Sequence, residues 1–194
     1  MPSSVIDSLE RWLARRYPSA LAGLNKGASA AKIAKAEKEI GIALPSAMHA
    51  LYIWRDGTSE NGVSLAGNMR FLSLFDAAAM RATMTELAHD GTFTKPDWWH
   101  SGWLPFFARD GGNALLWDSE GSFKARGGKR GQVVLFLSRD AERDIVAPSF
   151  EVWLEVFVAS LQAGHWKYDA EAEQLDSKSS LPRFMKKAIP GYPK

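Results

Sequence analysis

Residues 103–118 read WLPFFARDGGNALLWD. Two apolar runs flank Asp110-Gly111-Gly112-Asn113, a segment rich in residues that tolerate positive φ. This pattern predicts a β-hairpin, with strands over 103–108 and 114–117 and a tight turn between them. The rest of the chain is read outward from this hairpin.

Downstream, the Gly-rich basic stretch 121–131 reads as a loop leading to a further strand over 133–137. Ser149 then caps a helix in which Phe150, Trp153, Leu154, Phe157, Val158 and Leu161 fall on one apolar stripe. Gly164 closes it. Beyond Tyr168 the composition turns polar and Pro182, Pro190 and Pro193 follow, so 1–168 is expected to be one domain and 169–194 a loosely packed or mobile tail.

Upstream, helical spacing of Val5, Leu9, Trp12 and Leu13 predicts a helix over 3–17, with Ser3 or Ser4 as its cap. Residues 19–28 read as a loop. Ser29 caps a second helix with Ile33, Ala36 and Ile40 on one face and Lys35 and Glu39 opposite, ending at Gly41. Leu44-Pro45 opens a third, carrying Met48, Leu51 and Tyr52. Asp56-Gly57 and Asn61-Gly62 are turn signals. Residues 69–74 read as a strand, and Asp76 as the cap of a fourth helix lined by Met80, Met84 and Leu87. Residues 92–103, with Pro96, Trp98, Trp99, His100 and Trp103, fit no regular element. Helices, then mostly antiparallel strands, then a helix argue for an α+β fold, a mainly antiparallel sheet flanked by helices.

The composition fits a folded domain: 194 residues, 46% hydrophobic and 24% charged. Cysteine is absent, which excludes disulfides, thiolate metal sites and a cysteine nucleophile. The first 17 residues carry Asp7, Glu10, Arg11, Arg15 and Arg16, unlike the apolar core of a signal peptide. No apolar run approaches a membrane span. A cytoplasmic protein without membrane attachment is expected. Net charge is +2, with both signs mixed along the chain. The densest basic segment, Lys124, Arg126, Lys129 and Arg130, reads as a solvated loop rather than a nucleic-acid surface.

The ordered series Ala36-Glu37-x-x-Ile40-Gly41-x-x-Leu44-Pro45, Leu51-Tyr52, Asp56-Gly57, Trp103-Leu104-Pro105-Phe106, Asp110-Gly111-Gly112-Asn113 with Leu115 and Asp118, Gly131-Gln132-Val133 and Ser149-Phe150-x-x-Trp153-Leu154 resembles the SMI1/KNR4 (SUKH) superfamily. The likeness runs from about Ile33 to Leu161. It implies an α+β fold with an antiparallel sheet flanked by helices. It also implies a binding role: bacterial members are commonly immunity proteins that neutralise a cognate toxin of a polymorphic or contact-dependent system, and fungal members act in cell-wall synthesis. It carries over no catalytic residues and does not fix the toxin.

The 110–113 turn could cradle a cation or phosphate, but a tight turn accounts for its glycines. Gly127-Gly128-Lys129-Arg130-Gly131 lacks the spacing and the following helix of a phosphate loop. His49, His89, His100 and His165 show no metal-ligand spacing and no G-x-S-x-G accompanies them. No catalytic, cofactor or metal residue is therefore assigned. Partner contacts are expected among Trp54, Arg55 and Asp56 after the third helix, among Trp98, Trp99 and His100, and at Arg109 and Asp110. Adjacent strand residues point opposite ways, so one of Trp98 and Trp99 is a candidate for exposure, and exposed Trp and Arg are favoured binding anchors. The chain is too basic for a bulk mimic of nucleic acid, although Glu171, Glu173 and Asp176 form a local acidic patch. The expected function is stoichiometric occlusion of a toxin protein. Alternatives are a scaffold of cell-wall synthesis, and a small hydrolase using Asp110, Asp118 and His100.

Overall fold

The computed structural model describes every residue except Met1, Asn61, Thr94 and Pro96, and the side chains of all of these except Pro2 and Ser3. Asn61 of the expected 61–62 turn, Pro96, and Ser3 as a cap thus lie outside the described residues. Chain order is α1 (Pro2–Arg16), α2 (Pro18–Ala22), α3 (Ala30–Ile40), α4 (Ser46–Trp54), β1 (Arg70–Phe71), α5 (Leu74–His89), β2 (Trp103–Ala108), β3 (Ala114–Asp118), a 3₁₀ turn (Lys124–Arg126), β4 (Val133–Phe136), β5 (Arg143–Ala147), α6 (Phe150–Gln162), β6 (Trp166–Asp169), β7 (Gln174–Ser177) and α7 (Leu181–Ala188).

The five strands β1 to β5 form one antiparallel sheet in sequence order. The β2–β3 hairpin is its centre, in register from Trp103↔Asp118 to Ala108↔Ala114, with a bulge between Pro105 and Phe107. Every residue of β2 is buried because the sheet is covered on both faces. On one face Leu104, Phe106, Phe107, Trp117 and Val133 join the main core with α1, α3, α4 and α6. On the other, Trp103, Ala114, Leu116, Val134 and Phe136 pack with Trp99 and with Met80, Met84 and Ala88 of α5. The chain is an α+β protein.

Local chemistry sets most of the element ends. Ser29 and Ser149 accept the backbone N–H groups of Lys32 and Val152, and Gly41 takes the left-handed conformation past α3 at φ 73°. Along α6 the whole expected stripe is buried, from Phe150 at 0% to Phe157 at 5% exposure.

Four expectations are corrected. Residues 18–22 form a short helix, because Pro18 that ends α1 also suits a first helical turn. The helix expected from Asp76 begins at Leu74. Ser73 is its cap, accepting from Asp76 N at 3.1 Å and donating to Asp76 Oδ2 at 2.7 Å. The strand expected over 69–74 accordingly stops at Phe71, since Leu74 N already donates to Asp56 Oδ1 at 2.8 Å. Finally, the segment from 169 is not loose. Position 169 lies within β6, Leu175 of β7 is fully buried and Ile189 is 4% exposed. The backbones of Lys194 and Ile145 exchange hydrogen bonds of 3.1 and 3.0 Å. Strands β5, β6 and β7 had no sequence counterpart; in β5, Arg143 stands at an inward position and breaks the apolar alternation.

Candidate functional site

A cleft of about 680 Å³ lies where the end of β2, strand β1, the N-terminus of α5 and the 58–60 segment meet. Its charged lining comprises Glu60, Arg70, Asp76, Arg109 and Asp110, with Asn25, Thr58 and Ser59 beside them. The β2–β3 turn presents Arg109 and Asp110, both exposed, with Arg109 Nε donating to the Asp110 carbonyl at 3.2 Å. Half-buried Arg70 donates through Nη2 to the Ser59 carbonyl. Asp76 sits on the first turn of α5, where the positive end of the helix favours a carboxylate. Mixed charge of this kind suits complementary pairing with a partner more than capture of one small ion.

Beside the cleft stands Phe75, 75% exposed at the start of α5. It does not line the cleft itself, where its neighbour Asp76 does, but a smaller hollow of about 140 Å³ shared with Lys32, Lys35 and Glu39 of α3. A large ring in water is unusual in a chain whose other aromatic rings are all buried or half-buried, and aromatic rings are the commonest anchors of interfaces. Sequence reading missed Phe75, together with Glu60 and Arg70 of the cleft. Its out-of-phase position, between the buried Leu74 and Ala77, becomes legible only once the helix start is fixed at Leu74.

The expected contact residues scatter over the molecule. Arg109 and Asp110 do line the cleft. Asp56 does not offer itself to a partner: it is 4% exposed. Its Oδ2 lies 2.5 Å from Lys32 Nζ and its Oδ1 accepts from Leu74 N, while Asn25 donates to its carbonyl at 3.0 Å. Asp56 thereby ties α3, α5 and the 25–28 segment together beneath the cleft. Next to it, Gly57 adopts φ 82°, and a Cβ there would meet Ser73 N at 2.3 Å. Trp54 and Arg55 are half-buried; the Arg55 guanidinium lies 5.4 Å from the Trp54 ring centre and reaches Glu10 of α1 at 3.3 Å. They join α4 to α1.

The candidate for exposure at 98–99 is also corrected. Trp99 is 7% exposed, donates to Thr85 Oγ1 at 3.1 Å and meets Trp103 edge-on. Trp98 is half-buried under the guanidinium of Arg143, 4.8 Å from its ring centre. His100 lies against Trp103 and Phe123, with Nε2 3.5 Å from Asp97 Oδ1. Both sheet faces being covered, these rings fill the second core.

Asp110, Asp118 and His100 do not form an acid–base group. Asp110 and Asp118 sit at opposite ends of the β2–β3 hairpin, whose strands rise about 3.3 Å per residue. Asp118 is fully buried, and its carboxylate accepts from the N–H groups of Glu120, Gly121 and Ser122 and from Gln132 Nε2 at 2.6 to 3.0 Å. It organises the following loop. Among the described residues no three His, Asp or Glu side chains gather to hold a metal ion.

Compared with known protein families, residues 27–156 fit the model of the SMI1 / KNR4 family (SUKH-1). No curated protein matches the chain. The matched span holds the whole five-stranded sheet, the cleft apart from Asn25, and Phe75, and leaves α1, α2 and everything from the middle of α6 onward outside it.

Proposed function

The chain belongs to the SMI1/KNR4 family, and from that premise we propose that it is an immunity protein, binding a cognate bacterial toxin in the cytoplasm and occluding it stoichiometrically. The observation that carries this reading is the exposed Phe75 beside a mixed-charge cleft. Phe75 supplies an apolar anchor, and Arg109, Asp110 and Asp76 supply a polar rim that selects the partner by charge. Interfaces of standard size owe most of their affinity to such a few residues. Occlusion asks no chemistry of the chain, only a rigid surface, and the sheet beneath Arg109 provides one.

The test is co-purification of tagged protein from its source cell through a salt wash, followed by growth rescue with the protein recovered. A stoichiometric toxin-domain protein whose toxicity the chain suppresses is the expected result. The double variant Phe75→Asp, Arg109→Glu is expected to bind that toxin at least about thirtyfold more weakly and to lose rescue, with an unchanged melting temperature. Recovery of cell-wall synthetic proteins instead, or rescue undiminished in the variant, would sink the reading.

A further inference from the structure

A second groove, about 300 Å³, runs between α1 and the end of α6, lined by Ser8, Arg11, Trp12, Arg15, Arg16 and Gln162. The α1 residues fall at i, i+3, i+4, i+7 and i+8, one face of the helix, beside the stripe of Ile6, Leu9 and Leu13 that enters the core. All three arginines are exposed. Arg11 donates to Ser8 Oγ at 3.2 Å, and none of the three takes part in an ion pair among the described residues. The neighbouring acids do not answer them: Asp7, one turn earlier, forms no ion pair among the described residues, and Glu10 turns to Arg55. Arg15 and Arg16 favour the negative end of the helix, but that accounts neither for Arg11 nor for the groove.

Aromatic rings border this charge. Trp12 packs on Tyr17 at 5.2 Å, and Tyr17 on Tyr168 of β6 at 5.0 Å, all three half-buried. Arginine, tryptophan and tyrosine are the residues that dominate binding energy at protein interfaces. None of these residues lies within 27–156. The surface is therefore built from what this chain carries around the family domain.

We propose that this groove docks an acidic segment of a partner protein, with carboxylates seated on the guanidinium groups of Arg11, Arg15 and Arg16. A guanidinium meets a carboxylate through two parallel N–H···O bonds, which a point charge cannot do. The three arginines span only about 7.5 Å of helix axis, the reach of a few acidic side chains. Nucleic-acid binding draws its affinity from a longer run of phosphate contacts, on the order of six to ten. The groove thus adds a recognition element separate from the cleft beside Phe75, and its test is independent of any toxin.

The probe is a short fluorescein-labelled oligoglutamate peptide, followed by fluorescence anisotropy at low salt. Wild type is expected to bind it. The triple variant Arg11→Gln, Arg15→Gln, Arg16→Gln, which keeps helix propensity at exposed positions, is expected to bind at least about tenfold more weakly. A charge-matched control, Lys38→Gln, Lys124→Gln, Lys187→Gln, retains wild-type binding. Circular dichroism confirms that all three are folded. The proposal is overturned if wild type does not bind the peptide, if the control loses as much as the arginine variant, or if a single-stranded oligonucleotide of equal charge binds more tightly.

Discussion

Arg143 brings a cation to a position of 1% exposure, and what meets it there is backbone and rings. Its Nη1 donates to the carbonyls of Leu137, Asp140 and Glu142, and its Nη2 to that of Trp98. Its guanidinium carbon lies 4.2 Å from the centre of Phe136 and 4.8 Å from that of Trp98. Burial holds the guanidinium pKa below its usual value, while Asp140 draws it back up. Arg143 therefore pins the irregular 97–100 segment to the β4–β5 turn. Truncation in Arg143→Ala leaves carbonyls without donors and is expected to cost about 3 kcal/mol in urea unfolding. Arg143→Lys recovers only part, because an ammonium cannot reproduce the planar fork. A loss below about 1 kcal/mol would show that water replaces the arginine at those carbonyls. Nothing in the sequence distinguishes Arg143 from Arg139 four residues earlier, which is exposed. Only the path of β5 turns one inward.

Between elements, Glu37 joins the last turns of α3 to the start of α4. One carboxylate oxygen accepts from Leu44 N at 2.7 Å and lies 2.8 Å from His49 Nε2. Burial alone would raise its pKa, but the His49 hydrogen bond and the Leu44 N–H outweigh burial and hold it below the ordinary 4.5. The unfolded chain then takes up the proton first as pH falls. Glu37 thus stabilises the fold fully above about pH 4.5, and that contribution is lost as pH drops from there through its lower folded value. Glu37→Gln is expected to lose about 1 kcal/mol at pH 7 and to show a shallower fall in stability below pH 5, in urea titrations at stepped pH. Parallel pH profiles would refute the clamp. The elements it joins were legible because their signals are local: Ser29 as cap, Gly41 as terminator, and Ile33, Ala36, Met48 and Leu51 at helical spacing. The clamp was not, since Glu37 and His49 meet only through the turn between their helices.

Over the whole molecule, the segment after Tyr168 is part of the fold. β7 meets the 64–67 segment, through Ser64↔Gln174 and Gly67↔Leu175, and Phe184 of α7 lies 4.5 Å from the His165 ring. Removal of 169–194 uncovers the sites of Leu175 and Ile189, each worth about 2 kcal/mol of burial. The truncated chain is expected to lose about 4 kcal/mol and to gain dye binding to exposed apolar surface. Unchanged urea midpoints would show that the core closes without it. Polar composition and three prolines concealed this segment, because a chain contributing only a few deep apolar contacts has almost no periodicity to read.

Taken by itself, the sequence determined the α+β class, the 103–117 hairpin, the capped helices and the family, since each depends on residues near one another in the chain or on their order along it. The tertiary structure alone decided which polar and aromatic residues serve packing and which face water. It buried Asp56, Asp118, Trp99 and Arg143, and it left Phe75 and the α1 arginines outside. The physical reason is that burial belongs to the surface brought against a residue, and here that surface comes from remote elements: α5 over one face of the sheet, α6 under the other.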